Sequence, residues 1–94
     1  MNNAEARAIL AEHLTTWRAR SWTELRAILD DEAQVCEIDG PSGVRYQIEV
    51  NVFWDDEAKG DLRVFGSIDD GGWRAFIPLC DGFIMAADGT FVDE

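Results

Sequence analysis

Val44-Arg45-Tyr46-Gln47-Ile48-Glu49-Val50-Asn51-Val52-Phe53-Trp54 is the stretch whose reading decides the fold. Val44, Tyr46, Ile48, Val50, Val52 and Trp54 alternate with Arg45, Gln47, Glu49 and Asn51. Successive side chains of a strand point to opposite faces. A period of two therefore predicts one long strand with a buried face and a wetter face. One-sided burial of this kind belongs to antiparallel sheets, because parallel sheets are covered on both sides.

Outward from this strand, turn residues divide the chain. Gly40-Pro41-Ser42-Gly43 predicts a turn, since Pro presets φ and Gly supplies positive φ. Before it, 34–38 reads as a short strand. Residues 55–61, with Lys59-Gly60, read as a hairpin loop, and 62–68 as the third strand. Asp69-Asp70-Gly71-Gly72 reads as a tight turn into a fourth strand at 73–77, ended by Pro78, which cannot donate to a ladder. Beyond it, Asp88-Gly89 between Phe83-Ile84-Met85 and Thr90-Phe91-Val92 allows a small hairpin or an irregular tuck.

The first third is helical. Asn2 with Glu5 has the pattern of a capping box, and Ala6, Ile9, Leu10, His13, Leu14 and Trp17 form an apolar stripe at spacings of three and four. Ser21-Trp22-Thr23-Glu24 repeats the capping pattern ahead of Leu25, Ile28 and Leu29. The break or kink at Arg20-Ser21 is left open, and Asp30-Asp31-Glu32 opposes the helix dipole, so the helix should stop near Leu29. The fold expected is α+β: an N-terminal helix, or kinked helix pair, on one face of a four-stranded antiparallel meander, all in one domain. The element order resembles cystatin-like folds, an architectural likeness without functional content.

The turns also predict the register. Pairing Trp54 with Leu62 sets Val52 against Val64 and Phe53 against Arg63. Pairing Ile68 with Trp73 sets Val64 against Ile77 and Phe65 against Phe76. The first hairpin should set Ile38 against Val44 and Glu37 against Arg45, burying Cys36 and Ile38. The core expected contains Leu10, Leu14, Trp17, Leu25, Val50, Val52, Val64 and Ile77. Phe53, Phe65 and Phe76 then share the other face with Arg45, Glu49, Arg63 and Arg74, covered by the tail through Phe83, Ile84 or Phe91, or left open to a partner.

Ninety-four residues bury only about 60% of the unfolded chain's surface, which leaves little room for an enclosed active site. No apolar run approaches the roughly 20 residues of a membrane span, and no secretory pattern opens the chain, so a cytoplasmic location is expected. Cys36 and Cys80 are expected reduced, as small core residues. The net charge of −11 is uneven: residues 1–29 hold four basic and three acidic groups, residues 30–94 four basic and sixteen acidic. Such a field repels phosphate backbones and attracts basic partners, which argues against nucleic acid.

The chemical inventory is small. His13 is the only histidine and lies in the apolar stripe; Trp17, four residues on, gives it no metal-binding partner. Either cysteine would need a distant base to act as a nucleophile. The carboxylates, including Asp55, Asp56, Asp61, Asp69 and Asp70, stand at turns without calcium-loop spacing. No catalytic residue, metal or cofactor is expected.

The run Phe65-Gly66-Ser67-Ile68-Asp69-Asp70-Gly71-Gly72-Trp73-Arg74-Ala75-Phe76, with Pro78-Leu79 and Phe83-Ile84, resembles a stretch found in a family of small uncharacterised bacterial proteins. The resemblance covers about the last third of the chain. It implies a self-contained bacterial domain and transfers no catalytic residue.

The function expected is that of a non-enzymatic acidic binding protein with a basic protein partner, in the manner of an immunity protein or antitoxin. Its candidate surface is Phe53, Phe65, Phe76, Arg63, Arg74, Asp55, Asp56, Asp69 and Asp70. The alternatives are a ligand-binding or catalytic domain using a helix–sheet cleft, and a homodimer joined through the Phe-bearing face.

Overall fold

Local capping starts both helices. Asn2 Oδ1 accepts from the Glu5 N–H at 3.0 Å and opens α1 (Asn3–Arg18). The reciprocal half of that box is not made, because Glu5 Oε1 accepts instead from Ser42 Oγ at 2.7 Å. At Ser21 both halves form, with the Glu24 N–H on Ser21 Oγ and the Ser21 N–H on Glu24 Oε1, each at 3.1 Å. This box starts α2 (Trp22–Ala27), so the chain breaks between the two helices. Asp30, at φ 65, turns the chain out of the helical region. The computed structural model describes residues 1–72 and 77–94.

The sheet is an antiparallel meander in the order β1 (Gln34–Asp39), β2 (Arg45–Asp56), β3 (Asp61–Asp69), β4 (Leu79–Met85). With the helices on one side it forms the expected α+β fold. The β2–β3 register is the predicted one: Trp54 faces Leu62, Phe53 faces Arg63 and Val52 faces Val64.

Two other expectations are corrected. In the first hairpin Ile38 faces Tyr46 and Asp39 faces Arg45, two positions from the predicted pairing. Val44 belongs to the loop, where its carbonyl accepts from the Gly40 N–H at 2.8 Å. A shift of two keeps every side chain on its face, and Arg45 still meets acid, with Nε 3.0 Å from Asp39 Oδ1.

The larger correction is the fourth strand. It runs Leu79–Met85, pairing Ile68 with Leu79, Val64 with Phe83 and Leu62 with Met85. Asp69 and Asp70 cap the Gly71 and Gly72 amides at 2.8 and 3.2 Å. Pro78 precedes the strand, where its missing N–H costs no ladder bond. Ile77 is 58% exposed and leaves the expected core; Phe83 and Met85 fill the places beside Val64 and Leu62. Trp73, Arg74 and Phe76 lie outside the described residues, and with them the expected Phe65–Phe76 and Ile68–Trp73 pairings. On β4 Phe65 faces Gly82, and Ile68 faces Leu79.

The rest of the predicted core is buried: Leu10, Leu14, Trp17, Leu25, Val50, Val52 and Val64 join Tyr46, Ile48 and Ile68. Gly66 decides where α1 sits. It lies on the helix-facing side of β3, and a Cβ placed there would come within 3.1 Å of Leu10 Cδ1 and Leu14 Cδ2. The helix settles into that gap and packs over β3 and β4. α2 covers the opposite end: the Trp22 ring lies 6.5 Å from that of Trp54, tilted by 45°, and its Nε1–H donates to the Gly60 carbonyl at 2.8 Å. The tail returns as a short hairpin, with Met85 bridged to Phe91. Phe91 meets Phe83 edge-on at 5.5 Å, and Arg18 lies over both rings at 4.7 and 5.1 Å.

Candidate functional site

Two surfaces stand uncovered among the described residues. The first is the sheet face turned away from the helices. Alternation and register bring Phe53, Phe65 and Ile84 together there, with Val35 toward the β1 edge. The Val92 N–H donates to the Ile84 carbonyl at 2.9 Å, which continues the row. The tail flanks this face without burying it: Val92, Asp93 and Glu94 line a shallow pocket with Arg63, Phe65 and Ile84. Its aromatic residues, Phe83 and Phe91, lie on the helix side, and Val35, Phe53 and Phe65 stay 56%, 39% and 36% exposed. Glu37, Asp39, Glu49, Asp55 and Asp69 share the face with only Arg45 and Arg63 among the described residues. Both arginines are already neutralised: Arg45 by Asp39 at 3.0 Å and Glu37 at 3.5 Å, Arg63 by Asp55 at 2.7 Å.

Of the predicted surface, then, Phe53, Phe65, Arg63, Asp55 and Asp69 come together. Asp56 does not belong to the face; its carboxylate accepts from the Lys59 N–H at 3.2 Å in the β2–β3 loop. Asp70 turns toward the N-terminus, 3.7 Å from the Met1 α-amino group. Phe76 and Arg74 lie outside the described residues. Cys80, expected in the core, is exposed on this face opposite Ser67, and Cys36 is half-buried, because the helices do not reach across β1.

The second surface is a groove of about 460 Å³ between α1 and β1. Glu5, Ile9, Glu12, His13 and Thr16 line it from the helix, Ile38, Asp39 and Pro41 from the first hairpin. The spacing of Glu5, Ile9, Glu12, His13 and Thr16 marks one flank of a helix, so this grouping was legible in the sequence. That the flank would stand free was not. His13 Nε2 accepts from the Trp17 indole N–H at 3.3 Å. Burial, then the charge of Arg20, lower the His13 pKa below its ordinary value. Among the described residues no hydrogen bond joins His13 to Glu5 or Glu12, and no group of three metal-ligating side chains converges.

At the N-terminal end of α1, Tyr46 is buried, and its hydroxyl meets no group in full hydrogen-bond geometry among the described residues, although Glu5 lies beside it. Burial first, then the neighbouring Glu5 carboxylate, push its pKa up. Gly40 permits this packing, since a Cβ there would run into Glu5 Oε1 and the Tyr46 ring.

Fold and surfaces together define a small two-layer α+β domain with one sheet face left open. No family model, no curated protein and no solved structure matches the chain. Among the described residues no helix is long and apolar enough to cross a membrane.

Proposed function

We propose that this chain is a non-enzymatic binding protein for a basic protein and that the open sheet face is its contact surface. One observation carries the reading: exposed Phe53 and Phe65 lie among carboxylates that outnumber the arginines, and those arginines are already paired. An apolar centre with a charged rim is the anatomy of a protein interface, and uncompensated negative charge selects a basic partner and speeds its approach. Self-association through the same face is less well supported, because two copies would oppose the same excess of negative charge. The reading places the protein in the bacterial cytoplasm, where two free cysteines stay reduced.

The test begins with recovery of the partner from cells at low salt and its identification. Its on-rate should then fall as salt rises past about 0.15 M, where charges are screened within about 8 Å. Asp55→Lys should slow association, and Phe65→Ala should speed dissociation. An acidic partner, or binding indifferent to salt, would reduce the acidic face to a solubility device.

A further inference from the structure

The two edges of the sheet end differently. β4 is met on its outer side by the C-terminal segment, through the Met85–Phe91 bridge and the Val92 N–H on the Ile84 carbonyl at 2.9 Å. β1 stands at the other end of the strand order and pairs, among the described residues, with β2 alone. Its register is unbroken from Gln34 to Asp39; it carries no proline, lysine or bulge, and the charges that guard this edge, Glu37 and Asp39, are acidic and so turn away acidic strands and admit basic ones. Beside this edge, on the helix side, lies the groove of about 460 Å³, with Ile9 and Ile38 as apolar lining and Glu5 and Glu12 as its acidic groups.

We propose that the β1 edge and this groove bind an extended segment of a basic polypeptide by strand addition. Main-chain hydrogen bonds to the outer side of β1 supply affinity, and the alternate side chains of the added strand select the sequence. Every second side chain of that strand falls on the helix side. There Ile9 and Ile38 receive apolar groups, and Glu12 and Glu5 receive lysine or arginine. Glu12 makes no ion pair among the described residues, so its charge is available. A second copy of β1 is a poor occupant, because its own Glu37 and Asp39 would enter an already acidic ladder. The added strand's other side chains fall beside Glu37 and Asp39 on the open face, but the site uses neither Phe53 nor Phe65 and stands or falls independently of the contact proposed there.

The probe is a synthetic heptapeptide, acetyl-Lys-Val-Arg-Val-Lys-Val-Arg-amide, titrated into the isotopically labelled full chain. Resonances of the β1 amides and of the Ile9 and Ile38 methyl groups should shift, while those of Phe53 and Phe65 stay in place. Exchange of the outer β1 amides should slow by about tenfold. Glu12→Lys, an exposed helix position that leaves the fold intact by circular dichroism, should weaken binding by about tenfold. Unchanged binding by Glu12→Lys, equal binding of the peptide with Glu at each basic position, or no shift at millimolar peptide would each overturn the inference. Shifts confined to Phe53, Phe65 and their neighbours would overturn it too, yet leave the proposed function in place. Loss of the salt-dependent on-rate of the captured partner would remove the proposed function and leave this site untouched.

Discussion

β3 and β1 belong to one sheet and meet opposite fates. On the helix side of β3, Leu62, Val64 and Ile68 are buried; on the same side of β1, Cys36 and Ile38 are only half-buried. The strands do not differ in principle, since both alternate. They differ in what lies above them. Gly66 leaves a gap on β3 that Leu10 and Leu14 occupy, and this draws α1 over β3 and β4 and away from β1. Alternation tells which residues share a face. It does not tell how far a helix extends across that face, and here the uncovered remainder is the groove.

The strongest way to break the comparison is truncation on the two sides of it. Leu14→Ala removes a buried side chain and should cost about 2–4 kcal/mol in urea unfolding. Ile38→Ala, beside the groove, should cost about 1 kcal/mol, since half-buried atoms lose less on removal. Equal costs would mean that β1 is as well covered as β3.

Next come two close approaches, strand to strand at Gly82 and helix to sheet at Gly66. An alanine Cβ at Gly82 would run into the Val64 carbonyl oxygen, a backbone atom, and should cost about 2–3 kcal/mol. At Gly66 the obstacles are the ends of Leu10 and Leu14, which can turn, so Gly66→Ala should cost about half as much. Thermal unfolding of both variants ranks them. A reversed order would show that α1 is held rigidly at Gly66.

Phe65→Ala sharpens the contrast between the two faces of one strand. Exposed on one side, it should change stability by about 1 kcal/mol or less, measured by chemical denaturation. A loss as large as that of Leu14→Ala would mean that the open face is covered in solution.

The smallest effect concerns His13. Its folded pKa lies below the ordinary 6.5, from burial and the nearby Arg20. As pH falls through 6.5 the unfolded chain takes up the proton first. The contribution to stability is therefore complete above that value and is lost as pH falls toward the folded pKa. His13→Gln should flatten stability in that window. A folded-state midpoint at or above the ordinary value, read from the imidazole proton resonances, would contradict the burial seen beside Trp17.

The sequence by itself determined what local pattern controls. The alternation at 44–54 defined β2 and its two faces. The Ser21–Glu24 box started α2, and the β2–β3 loop set Trp54 against Leu62. Tertiary structure alone decided the rest. The last strand belongs to Leu79–Met85, where Asp81-Gly82 interrupts the apolar alternation, because Phe83 and Met85 reach Val64 and Leu62 while Ile77 stays exposed. The same holds for the uncovered Phe53 and Phe65 and for the groove beside β1. These depend on which distant segment fills a given gap. A periodicity records how a side chain points along its own strand or helix, whereas burial depends on what arrives from elsewhere in the chain.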